Sequence, residues 1–174
     1  TGFILFLTAL FLTPLVFYPR ASDPFWVTEA LSFRLLIFSA LFFYVFSAFT
    51  AGKKPFWDKK WCGLTAIFIA FTSLGFFKAD NFYAYFDRVV YNSGLAAFFY
   101  LAMAYSAEKN NREKIFLPVI LAALIAAIYG IMQSAGIDFF SWGSDYSGRA
   151  ASTLGNPNFL AGHLLLAIPA AIVM

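Results

Sequence analysis

Residues 115–134 read IFLPVILAALIAAIYGIMQS, twenty consecutive positions without a charged side chain. That is about the number of residues a helix needs to cross the hydrocarbon core of a bilayer. A charged cluster precedes the run (Glu108, Lys109, Arg112, Glu113, Lys114), and a polar link with Asp138, Asp145 and Arg149 follows it. Other stretches of the chain repeat the pattern, with apolar runs at 3–18, 31–49, 61–77, 89–106 and 157–174, separated by short charged or Pro- and Gly-bearing connections. The residues as a whole are 61% apolar and 21% aromatic but only 12% charged, where a soluble domain carries roughly a quarter charged. A chain of this kind has too little polar surface to cover itself in water, so lipid is the expected solvent. Lipid leaves backbone groups no partner outside the chain, which restricts spanning elements to helices and closed barrels. The runs lack the period-2 alternation of a barrel strand. The expected fold is therefore all-α, a polytopic transmembrane bundle with about six spanning helices in residues 1–174.

Lysine and arginine report the orientation. Seven of the twelve (Lys53, Lys54, Lys59, Lys60, Lys109, Arg112 and Lys114) lie in two short alternate connections, and the rest are spread thinly. By the positive-inside rule those two connections face the cytoplasm. Both ends of the chain then lie on the cytoplasmic side, and the links 20–30, 78–88 and 135–156 face outward. The excess charge of +3 is thus a topology signal, and no nucleic-acid partner is expected. The one cysteine, Cys62, cannot form an intrachain disulfide and is read as a packing residue. The run at 3–18 has no small-residue cleavage site after it, which sets it apart from a signal peptide. Because the chain opens at Thr1 and stops at Met174 inside an apolar run, both ends are expected to be cuts in a longer protein.

The stretch richest in chemistry is Gly148-Arg149-Ala150-Ala151-Ser152-Thr153-Leu154-Gly155-Asn156-Pro157-Asn158. Asn156 suits a helix N-cap, and Pro157 suits the first helical position, where its missing N–H costs nothing. The open N–H groups and partial positive charge of a helix start, with Arg149 and the hydroxyls of Ser152 and Thr153 nearby, form a candidate phosphate site. The plainer alternative is a capped helix beside an interfacial arginine.

Arg149 followed by Ser152-Thr153-Leu154-Gly155-Asn156-Pro157-Asn158-Phe159-Leu160-Ala161-Gly162 resembles the signature of the O-antigen ligase and polymerase superfamily. Thr13-Pro14-Leu15, Asp23-Pro24-Phe25 and a helix end at Ser73-Leu74 agree more weakly. Members of that family are integral inner-membrane glycosyltransferases that act at the periplasmic face. They move a glycan from an undecaprenyl-diphosphate carrier to the lipid A core, a growing glycan or a protein hydroxyl. The resemblance implies that residues 1–174 are the N-terminal part of one integral membrane domain. It also implies that Arg149 holds the donor diphosphate, with Ser152, Thr153, Asn156, Asn158 and Arg88 as further candidates. The family's catalytic histidine is expected in a periplasmic loop beyond these residues, so no catalytic residue is assigned here.

His163 is a secondary candidate for a contact to acceptor or diphosphate; its alternative is a polar residue buried within the bundle. Lys78 and Arg88, flanking an outward loop with Asp80 and Asp87, are read either as diphosphate ligands or as interfacial anchors. Arg34 is expected to snorkel outward. Phe139, Phe140, Trp142 and Tyr146 suit an interfacial belt better than a sugar platform, and Asp138 and Asp145 are read as solvated. No cofactor or metal is expected, since the carrier's phosphoanhydride already stores the driving force. The alternatives are a transporter of an anionic solute, which calls for ionisable or broken-helix features near the midplane, and a structural membrane protein.

Overall fold

The computed structural model describes residues 1–174 apart from Ser22, Ala79 and 141–148. The expectations placed on Trp142, Asp145 and Tyr146 therefore lie outside the described residues. The described residues are all-helical, with no strand: α1 (Gly2–Leu12), α2 (Trp26–Thr50), α3 (Lys59–Ser73), α4 (Phe82–Ser106), α5 (Arg112–Ser134) and α6 (Pro157–Val173), joined in places by short 3₁₀ turns. Among the described residues, two segments are long and apolar enough to cross a membrane, Trp26–Thr50 and Lys109–Ser134, whereas Gly2–Leu12 and Pro157–Ile172 are apolar but shorter.

Several boundaries differ from the sequence reading for identifiable reasons. The first helix stops at Leu12 instead of running to residue 18. Pro14 disfavours helical backbone at the residue before it and supplies no N–H, which leaves a helix of roughly 16 Å. α2 starts earlier than residue 31 because the Asp23 carboxylate accepts hydrogen bonds from the amides of Phe25 (3.1 Å) and Trp26 (2.9 Å), in the manner of a cap. α3 is capped by Asp58 and ends at Ser73, after which Leu74–Lys78 form a 3₁₀ turn. α4 starts at Phe82 behind an Asn81 cap, so Asp87 and Arg88 sit on a helix and not in a loop.

The chain divides into two compact units. Thr1–Phe6 and Phe33–Asn111 form the first. In it α3 packs on α4, and small residues of α4 (Gly94, Ala96, Ala97 and Ala104) are buried beside Leu101. Phe33 closes over Gly94, where a Cβ would come within 3.3 Å of the ring. Phe6, fully buried, stacks on Phe98 at 5.5 Å and tilts against Tyr105 at 5.4 Å. The peptide of Phe56 is held from both sides: its N–H donates to Tyr44 Oη, and its carbonyl accepts from Tyr100 Oη, each at 2.9 Å. Arg34, expected to snorkel, instead makes a two-pronged bond to the Asp87 carboxylate and lies over the Tyr91 ring. Cys62 is only half-buried.

Leu7–Ser32 and Arg112–Met174 form the second unit. Here α5 packs on α6 along a strip of buried small side chains, Ala122, Ala126 and Gly130. A spacing of four places these on one helix face and allows close backbone approach, the packing mode usual between helices in lipid. At Gly130 the approach is tight, since a Cβ there would meet Leu160 Cδ2 at 3.2 Å. Large apolar side chains stay uncovered on the outer faces, among them Leu35, Phe42 and Phe49 on α2 and Leu165, Leu166 and Ile172 on α6. So much exposed apolar surface marks an interaction with lipid or protein rather than with water.

Candidate functional site

The motif around Arg149 forms a turn that delivers the chain into α6, all of it within the second unit. Ser152–Leu154 make one 3₁₀ turn, and Gly155 reverses the chain with φ +67°. Asn156 takes extended backbone, and its side chain accepts from the Asn158 amide at 2.8 Å. Pro157 follows as the first helical residue. Cap and proline thus stand where the sequence places them. Gly155 is required for two reasons: its positive φ, which side-chain-bearing residues rarely adopt, and the Phe25 ring lying against it where a Cβ would have to go.

The exposed Arg149 reaches the first turn of α6, where one guanidinium nitrogen donates to Asn158 Oδ1 at 3.3 Å. This is a long hydrogen bond that orients the side chain more than it binds it. Arg149, Asn156 and Asn158 are therefore brought together at the start of α6. Arg149 supplies positive charge and the helix start its dipole, while Pro157 has no N–H and the amides of Asn158 and Leu160 are already taken by Asn156.

Ser152 and Thr153 are placed differently from the sequence expectation. Both are buried, at 0% and 6% exposure. The Ser152 hydroxyl donates to the carbonyl of Ala126 on α5 at 2.6 Å, and the Thr153 hydroxyl to the carbonyl of Pro14 at 2.8 Å. With their protons committed inward, these residues hold the turn in place and do not face a ligand. Arg88 is exposed on α4 in the first unit, whereas the motif turn belongs to the second. The Lys78 side chain lies outside the described residues. His163 is half-buried in α6, with Nε2 unpartnered.

Sequence reasoning missed the residues that secure the turn from α5. The Ser152 amide donates to Gln133 Oε1 at 2.7 Å, and Gln133 Nε2 donates to Asp138 Oδ2 at 2.9 Å. Asp138 Oδ1 also accepts from Tyr129 Oη at 2.6 Å and from the Phe140 amide at 3.1 Å. Asp138, read as solvated, is thus exposed yet fixed by several donors. Phe140 packs edge-on against Phe17 at 5.1 Å and so belongs to a local ring cluster. One sequence signal pointed this way: Tyr129 and Gln133 are polar, four apart, and therefore on one face at the end of an otherwise apolar helix. Ser152 itself takes φ +53°, a region uncommon for non-glycine residues, and its hydrogen bonds to Gln133 and Ala126 hold it there. No protein-family model, characterised protein or solved structure matches this chain.

Proposed function

We propose that this chain is part of a multi-pass bacterial inner-membrane glycosyltransferase of the O-antigen ligase type, with about six of its membrane crossings in residues 1–174. The reading places the motif turn at the periplasmic face, where it holds the diphosphate of an undecaprenyl-diphosphate-linked glycan. The observation carrying it is the Arg149 guanidinium held against Asn158 at the capped start of α6. Uncovered apolar surface on α2 and α6 supports a lipid setting, and so do the two segments of spanning length. The resemblance of residues 149–162 to the family signature supplies the reaction class.

As the carrier's bond to the sugar breaks, negative charge grows on the departing diphosphate. A fixed guanidinium and a helix start aimed at that charge bind it more strongly in the transition state than in the substrate, which is the condition for acceleration. Lipid A core as acceptor defines the ligase reading; a growing glycan or a protein hydroxyl defines the polymerase and protein-glycosylating branches.

The test is glycan transfer from a polyprenyl-diphosphate donor by the full-length protein in membranes, with Arg149→Ala compared at matched expression. Loss of roughly 100-fold or more is expected, in line with removal of one strong transition-state donor. Unchanged transfer removes Arg149 from the site. Absence of transfer by the wild type with lipid A core, glycan and protein acceptors rejects the enzyme reading in favour of anionic-solute transport.

A further inference from the structure

We propose that Gln133 and Asp138 are positioning residues for the donor site, acting through Ser152 to set the turn that carries Arg149 and Asn158. The proposal rests on the glycosyltransferase reading for its catalytic consequence, but the coupling itself rests on geometry alone.

The argument is one of hydrogen-bond polarity. An ionised Asp138 offers only acceptors. Tyr129 Oη and the Phe140 amide converge on Oδ1, while Gln133 Nε2 donates to Oδ2. Gln133 must then turn its NH₂ toward Asp138, so its carbonyl oxygen points the other way, at the Ser152 amide. A side-chain amide has one donor end and one acceptor end, so the acceptor at position 138 dictates what position 133 presents to the backbone at 152. That backbone amide belongs to a residue with positive φ, whose hydroxyl is already anchored to Ala126. With both groups tied to α5, the direction in which the chain leaves toward Gly155, Asn156 and α6 is fixed. The Arg149–Asn158 contact spans this same turn. Gln133 is half-buried and Asp138 exposed.

Reversing the polarity tests this directly. Asp138→Asn puts a donor against Gln133 Nε2; if the glutamine amide flips to meet it, its NH₂ then faces the Ser152 N–H, so the mismatch is passed on. Gln133→Glu sets two carboxylates against each other. Combined, the two substitutions restore complementarity, because the introduced carboxylate accepts from the Ser152 amide and from the introduced side-chain amide at 138. Each single variant of the full-length protein is expected to lower kcat/KM for glycan transfer roughly three- to tenfold, the scale of one net hydrogen bond. Each should also speed hydrogen exchange of the Ser152 amide in lipid nanodiscs, and the double variant should recover both within about twofold. Unchanged Ser152 exchange in the singles overturns the coupling, and so does failure of the double variant to recover. Unchanged transfer in the singles alongside a large Arg149→Ala loss overturns the positioning role and leaves the donor site standing. If the wild type transfers nothing, the enzyme reading falls, and the exchange measurements alone decide whether 133 and 138 set the turn.

Discussion

Replacing Gly155 by alanine should damage the motif turn in two separable ways. At φ +67°, an alanine pays about 1–2 kcal/mol for left-handed backbone. Its Cβ would also be driven into the Phe25 ring, with Cγ, Cδ2 and Cε2 all inside contact distance. Overpacking of that kind costs typically 1–3 kcal/mol once the neighbours shift. The sum is roughly 2–5 kcal/mol, a large share of the stability of an ordinary domain. Equilibrium unfolding in mixed detergent and SDS, followed by tryptophan fluorescence, measures it. The components separate in a Phe25→Ala background, where Cγ and the ring are gone and Gly155→Ala should cost only the backbone part, about 1–2 kcal/mol. A Gly155→Ala protein within about 0.5 kcal/mol of wild type would refute the reasoning, and an equal cost in both backgrounds would show that Phe25 is not the obstacle.

Ser152→Ala and Thr153→Val should each lose about 0.5–1.5 kcal/mol of stability, the net value of one hydrogen bond, while KM for the donor stays within twofold of wild type; a KM increase without destabilisation would return the hydroxyls to the ligand site. The Arg34–Asp87 pair, with Asp87 side chain 57% exposed, should show a coupling of roughly 1 kcal/mol or less in a double-mutant cycle, falling as salt is raised. A salt-independent coupling of several kcal/mol would mean the pair is shielded from solvent.

The parts of this structure that were legible in the sequence are those decided within a few residues. The apolar runs and their punctuation gave helices in the right order, and Asn156-Pro157 gave the start of α6 because a cap and a first-turn proline act locally. The errors arose where distant partners intervene. Asp87 and Arg88 looked like a polar link, but Asp87 is matched by Arg34, 53 residues away, and Asn81 had already begun the helix. Ser152 and Thr153 looked available to a ligand because nothing local shows that Ala126 and Pro14 take their protons. Pro14 itself was a legible stop that the apolar content around it outweighed. Gln133 is polar in an apolar helix, yet its importance depends on meeting Ser152, 19 residues on, which no periodicity encodes.

The bond from Thr153 to the carbonyl of Pro14 spans 139 residues, and this bears on how the protein is made. A ribosome adding about 5–20 residues per second takes roughly 7–30 s to cover that distance. Throughout that interval the end of α1 is already synthesised, but its carbonyl has no Thr153 to meet. The close of the first helix is thus completed by nearly the last segment of these residues to emerge. A nascent chain halted anywhere before residue 153 leaves the Pro14 carbonyl without this donor.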